Sequence, residues 1–338
     1  MLKSRIKFAL LTACLGFAVL QGQTNPSTEL LVLSKSNRTA SIVDPATLKV
    51  LASMPSGPDP HEIVADADGK LAYISNYGGP GGAHNTISVV DLGEHKALAP
   101  IDLGVLRGAH GLAFVGAKLW FTAETNKVIG SYDPAAKHID WVLGTGQNRT
   151  DMIVVSEDLK RIITSNVSSA TVSMIDKISR PGPNGPRQED WDETVVPVGR
   201  GAEGFDVTPD GKQIWAANAQ DGTISIIDAA EKKVIDTLNA NVRSANRLKF
   251  TPDGSLVFVS TLGAPDLVIL DTKTRREVKR VKIGRGAAGI QMQPDGARAY
   301  VACTPDDYVV VIDVKSREVV GHIDAGKQPD GLAWVVSR

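Results

Sequence analysis

Cysteine is almost missing from this chain. Of 338 residues only Cys14 and Cys303 are cysteines, and Cys14 falls in a leading segment expected to be removed. No disulfide framework is therefore expected, and a large core has to hold the fold alone. Aromatic residues make up only 5%, which leaves few stacking platforms for single-stranded nucleic acid. Charge of one sign is not in excess either. Lys and Arg number 37 against 38 Asp and Glu, a net charge of −1, so bulk electrostatics favours neither nucleic acid nor an anionic membrane as a partner. No G-x-S-x-G, His-x-x-x-His or Cys-x-x-Cys-His pattern occurs. The last absence argues against covalently attached c-type heme. Cys303, lacking a partner, reads as a small packed residue rather than a nucleophile.

The first residues read as a targeting segment. Lys3, Arg5 and Lys7 form a basic start, Phe8 to Leu20 an apolar stretch too short to span a membrane comfortably, and Gln21-Gly22-Gln23 a polar exit. This pattern predicts a signal peptide over 1–22 and a periplasmic or secreted mature chain without a transmembrane segment. Leu11-Thr12-Ala13-Cys14 also has the form of a lipobox, which as an alternative would make Cys14 a lipidated N-terminus. The short apolar stretch before Cys14 favours ordinary secretion.

What the rest of the chain has in abundance is repetition. Residues 198–228 hold an apolar run, the turn Pro209-Asp210-Gly211, a second run, the turn Gln220-Asp221-Gly222, and a third run ending in Asp228. An Asp-Gly pair between apolar runs is a strong hairpin signal, because Gly tolerates a positive φ. Asp-ended third runs recur at Asp44, Asp91, Asp133, Asp176, Asp228, Asp271 and Asp313. Asp in such a place suits the first position of a turn. A charged turn and a fourth apolar run follow each, including Lys96 to Leu103. Four strands per repeat of about 40–45 residues is the pattern of a β-propeller blade.

The ends predict how the ring closes. Glu29 to Leu33 corresponds to the second strand of a blade, and Gly331 to Val335 to a first strand. The last strand thus completes the first blade and removes a free edge. The expected fold is all-β: a single seven-bladed β-propeller over 29–338, expected to be monomeric. Two departures stand out: a Pro- and Gly-rich insertion at 177–193, and the loop Tyr77 to Asn85.

The repeat resembles the YVTN family of β-propellers, exported bacterial proteins that include YncE-like members. The resemblance rests on Tyr73-Ile74-Ser75-Asn76, Ile163-Thr164-Ser165-Asn166 and Tyr300-Val301-Ala302-Cys303, with the Asp-Gly turns and Asp-ended strands. It covers residues 29–338. It implies a propeller, and a function that differs among relatives: the same repeat occurs in lactonases, lyases, and heme d1 or copper proteins.

Function is sought where the blades differ. The position just before each innermost strand holds His61, His110, Asp151, Glu203, Asn246, Ala288 and Asp330. Ring closure makes Asp330, His61, His110, Asp151 and Glu203 consecutive around the channel mouth, with His84 on the same face. Imidazole and carboxylate suit a divalent metal, for which His61, His110, Asp151, Asp330 and His84 are candidates. They also suit acid–base chemistry, for which His110, Asp151 and Glu203 are candidates. Three residues earlier, Arg107, Arg200, Arg243, Arg285 and Lys327 form a basic ring. With Asn246, these are candidate contacts for an anionic ligand. The expected function is binding of a small molecule or protein at this mouth. The alternatives are a metal-assisted lactonase or lyase using the His/Asp/Glu arc, and a heme- or copper-associated redox propeller.

Overall fold

The computed structural model describes residues 27–79, 81–182 and 185–337. The expected signal peptide over 1–22, with Cys14, lies outside the described residues. Seven antiparallel sheets form seven blades, each running outward from the channel. Blade 1 consists of Pro329–Ser337, Ser27–Ser34, Thr39–Asp44 and Lys49–Pro55, in that order. The last strand of the chain is therefore its innermost, paired with Ser27–Ser34 from Ser27↔Ser337 to Ser34↔Pro329. The remaining innermost strands are Pro60–Ala65 in blade 2, Ala109–Val115 in blade 3, Thr150–Val155 in blade 4, Ala202–Val207 in blade 5, Ala245–Phe250 in blade 6 and Ala287–Met292 in blade 7.

Both faces of each blade are covered by its neighbours, so the second and third strands read as apolar runs rather than alternating ones. Leu30, Leu31, Val32 and Leu33 are all fully buried. Trp215 of blade 5 and Phe250 of blade 6 meet edge to face with ring centroids 5.6 Å apart.

The repeated polar residues have defined partners. Six of the seven strand-ending aspartates cap a turn: Asp44 Oδ1 accepts from Ala46 N, for example, and Asp228 Oδ1 from the N–H groups of Ala230 and Glu231. The seventh, Asp176, does not. The insertion that follows it is not a loop but a continuation of the hairpin, formed by Thr171–Gly182 and Gly185–Pro197. Asp176 thus lies within a strand, and pairs instead with Arg161 at 2.6 Å and Lys232 at 2.6 Å. The asparagines ending second strands are buried and reach across to the third strand. Asn76 donates to Thr86 and Ser88, Asn166 to Thr171 and Ser173, and Asn218 to Thr223 and Ser225. A buried amide needs such partners.

Blade 2 departs from the expected continuous outer strand. It is broken into Lys96–Ala97 and Ile101–Asp102. Pro100 stands in the gap, where it has no N–H to offer the ladder.

Candidate functional site

The innermost strands all begin with the same local device. In blades 2, 4, 5, 6 and 7 the pairing with the second strand shifts just past the first residue, as between Pro60 and Ile63 or Thr150 and Ile153. Such a bulge re-aims side chains at the mouth of a barrel or channel. Hydroxyls on the second strands fix it. Thr122 Oγ1 accepts from Gly111 N and donates to the Asp151 carbonyl at 2.8 Å. Ser165 does the same for Met152 N and the Glu203 carbonyl, and Ser260 for Arg247 N and the Ala288 carbonyl. Blades 3, 4 and 6 thereby position the first residues of the next blade.

The residue after the bulge is Gly in four blades. A Cβ on Gly289 would stand 2.2 Å from the Asp330 carbonyl oxygen, and one on Gly331 2.4 Å from that of His61. Glycine is what lets adjacent inner strands approach this closely. Where the residue is larger, its side chain enters the channel: Glu62 and Arg247 do so, and form an ion pair across the axis between blades 2 and 6. Arg247 is buried, and also donates through Nη1 to the Asn246 carbonyl at 3.0 Å.

Two residues before the ring position, every blade turns through a left-handed residue. Three are Gly, but the others include Asp59 (φ 49°) and Arg149 (φ 57°). A non-glycine residue there carries strain, and here both side chains serve the site.

The structure brings the ring together at a cavity of about 500 Å³. His61 and His110 have ring centroids 5.1 Å apart, and Tyr77 lies 4.8 Å and 5.0 Å from them. Lys35 Nζ stands 2.8 Å from His61 Nε2, 3.3 Å from Asp330 and 3.5 Å from Asp59. His110 Nδ1 is 2.8 Å from Asp151 Oδ1. Tyr77 donates to Glu124 Oε2 at 2.7 Å, and Asn246 to Glu203 Oε1 at 2.8 Å. Arg149 lies between Glu124 and Glu203, at 3.7 Å and 3.8 Å.

Burial and neighbouring charge set the protonation of these groups. Burial, then the nearby His110 and Lys35 charges, pull His61 down to about 4, against the attraction of Asp330 and Asp59. Burial opposes charge on His110 too, but the Asp151 carboxylate outweighs it and raises that imidazole. For Asp151 burial acts upward and is overcome by His110, Arg247 and Arg149, which hold the carboxyl well below the usual range. Burial, then the Asp151 charge, push Glu124 up to about 7 and raise Glu203. Burial thus disfavours charge on His61, while the Asp151 carboxylate favours it on His110.

Other residues singled out in the sequence lie elsewhere. The basic ring faces outward. Arg200 pairs with Asp221, Arg285 with Asp306 and Lys327 with Asp307, with the basic side chains about 70% exposed. Arg107 and Arg243 bond the carbonyls of Ala83 and Gln220. None of the five lines the cavity. His84 meets this region through its carbonyl, which accepts from Gly108 N at 2.8 Å, and its ring is not in the lining. Cys303 is buried, and burial pushes its thiol up to about 12.

Sequence reading missed Lys35, Tyr77, Glu124, Arg149, Glu62 and Arg247. The signal was one alignment column away. Lys35 and Glu124 directly follow a second strand, Tyr77 takes the same place within the longer strand Leu71–Gly79, Arg149 precedes a ring residue by two, and Glu62 and Arg247 follow one.

A family model described as the cytochrome D1 heme domain matches residues 85–292, more than half the chain. The chain belongs to the cytochrome D1 heme domain family. Solved structures share the fold of this family member. A functionally unknown protein from Desulfotomaculum acetoxidans DSM 771 superposes with TM-score 0.73 at 16% identity, covering 91% of this chain and 99% of that one. A putative 6-phosphogluconolactonase from Bacteroides uniformis gives 0.71 at 14%, covering 91% and 99%. The dihydro-heme d1 dehydrogenase NirN in complex with DHE gives 0.61 at 15%, covering 90% and 74%. At these identities the likeness is one of fold. No curated protein matches the chain.

Proposed function

We propose that the entry-face mouth binds a carboxylate-bearing, heme-type tetrapyrrole, with His61 as donor to the iron and Lys35 and Arg149 pairing its carboxylates. The observation that carries this reading is the setting of His61: Lys35 Nζ lies 2.8 Å from Nε2 and 3.1 Å from Nδ1, and Nδ1 faces the Asp59 carbonyl at 3.4 Å. An Nδ1–H donated to that carbonyl leaves the lone pair on Nε2. A metal ion bound at Nε2 would take the ammonium's place. The rest of the lining suits the same ligand: an ammonium and a guanidinium for carboxylates, Tyr77 and Leu262 for an apolar ring, and a cavity of about 500 Å³. Membership of the cytochrome D1 heme domain family supports a heme as that ligand. When bound, the heme would supply redox or small-ligand chemistry at its iron. The chain's part is to orient it. Asp59 and Asp330 hold Lys35, and Glu124 and Glu203 hold Arg149. In this reading the mature chain works outside the cytoplasm, after loss of residues 1–22.

Titrating the heme-free protein with heme tests the proposal. A shifted Soret band should saturate at one heme per chain. His61→Ala should abolish the shift, and Lys35→Met should weaken binding about 10-fold or more, as expected for a lost hydrogen bond to a charged group. An unshifted band with the wild-type protein would remove the reading, and an unchanged spectrum in His61→Ala would remove His61 as donor.

The buried His110–Asp151 pair favours a second reading. Asp151 Oδ1 lies 2.8 Å from Nδ1 of an imidazole that lines the cavity, and in its neutral form that imidazole would take a proton from a bound water as general base. A lactone or ester bound at the mouth would then be opened by water. Hydrolysis lost in both His110→Ala and Asp151→Asn, with no heme bound, would support it, and equal turnover in these variants would end it.

A further inference from the structure

Below the mouth, blades 3 and 4 bring three donors to one point. His110 is the ring residue of blade 3 and Asp151 that of blade 4. Glu124 opens the short 3-10 turn Glu124–Asn126 after blade 3's second strand. One nitrogen or oxygen from each lies within 4.8 Å of the other two. His110 is 4% exposed and Asp151 is fully buried.

The donor atoms lack partners. His110 Nδ1, Glu124 Oε1 and both carboxylate oxygens of Asp151 are buried without a hydrogen bond of good geometry. The 2.8 Å approach of Nδ1 to Asp151 Oδ1 is a charge contact out of line with the N–H direction. Buried polar atoms are almost always satisfied, since leaving one bare costs the full desolvation of the group. Four such atoms, from three separate segments, meet here. Nearby guanidinium groups do not account for them. Arg247 is paired to Glu62, and Arg149 stands beyond hydrogen-bonding distance, shared between Glu124 and Glu203.

We propose that His110 Nδ1, Glu124 Oε1 and the Asp151 carboxylate hold a divalent cation, distinct from any iron bound at His61. One imidazole and two carboxylates suit a first-row ion such as Zn²⁺, Mn²⁺ or Fe²⁺. Ca²⁺ would want six to eight oxygens, more than this pocket offers. Ligands at about 2.1 Å from a tetrahedral ion stand about 3.4 Å apart, so the widest pair of the triad, within 4.8 Å now, has to close by up to about 1.4 Å. The outer frame is in place. Tyr77 donates to the free oxygen of Glu124, and Thr122 ties down the Asp151 carbonyl. Such contacts orient metal ligands. Three protein ligands leave a coordination position open on the cavity side.

The test uses the heme-free, chelator-treated full chain titrated calorimetrically with Zn²⁺ and Mn²⁺, and with Co²⁺ for its visible ligand-field bands. One ion should bind per chain. Glu124→Gln preserves size and the partner of Tyr77, and should weaken binding by at least about 10-fold, the lower end of what outer-shell contacts alone contribute. His61→Ala should bind the ion as the wild type does, which separates this site from the heme reading. Absence of saturable binding by all three ions would overturn the proposal. So would equal affinity in Glu124→Gln, leaving a proton shared between Glu124 and Asp151 as the reason for the bare atoms. Loss of binding in His61→Ala would move the ion to the mouth and also overturn the assignment.

Discussion

A chain ending at Gln328 should not give a stable propeller. The strand Pro329–Ser337 is the innermost of blade 1, and without it Ser27–Ser34 becomes a bare inner edge facing the channel. Leu332, Trp334 and Val335 leave with it. Leu332 and Val335 are buried, and Trp334 packs at 6.0 Å from Tyr300 of blade 7. At about 1.5–3 kcal/mol per buried apolar side chain, the loss is about 5–9 kcal/mol before any lost backbone pairing. A domain of this kind has only about 5–15 kcal/mol in total. The expected result is loss of a sharp thermal transition, together with aggregation through the open edge. A truncated chain that stayed monodisperse and melted like the full one would show that the seam between first and last strands is not what closes the ring. A synthetic peptide of the missing strand, added in trans, should restore the transition.

Removing Glu62 should cost nearly as much as losing a piece of core. The Arg247 guanidinium is buried beside the channel axis, and Glu62 is the carboxylate that meets it. Breaking a buried pair from one side leaves an uncompensated charge, at a cost of about 3–5 kcal/mol. Glu62→Ala should therefore lower the unfolding free energy by that amount in urea. Removing both partners should cost far less, since two apolar groups leave no bare charge. The double variant Glu62→Leu/Arg247→Met should recover most of the loss. If the single and double variants were equally unstable, packing rather than charge would be the origin.

Much of the fold was legible because each blade repeats the residues its backbone needs. The aspartate ending a third strand caps a turn, and the asparagine ending a second strand satisfies the next. Asp176 shows the limit. Its sequence context matches the others, yet the hairpin continues past it, because Lys177 to Trp191 extends the pairing through Lys177↔Trp191 and Ile178↔Asp190. The site was legible in one column only. Alignment found His61, His110, Asp151 and Asp330 because they are the residues at the bulge. It read Arg200, Arg285 and Lys327 as a funnel, although the left-handed residue that follows each redirects the chain and leaves them outside. Arg149 and Asp59 occupy that left-handed position themselves and face inward. Which of two adjacent residues turns toward the axis depends on a backbone angle that residue type does not encode, since Gly, Ser, Gln, Arg and Asp all occur there. Glu124 was missed although it shares its aligned place with Lys35 and Tyr77, because an acid, a base and an aromatic there show no common chemistry. Its importance comes only from Asp151, a whole blade further along.

The Arg247–Glu62 bar has a consequence for the channel. Arg247 belongs to the wall of two cavities, one at the entry face and another of about 320 Å³ lined by Glu62, Lys249 and Trp334 further along the axis. The ion pair therefore stands on the partition between the two, and any change to it would reshape the entry-face cavity and the one behind it together.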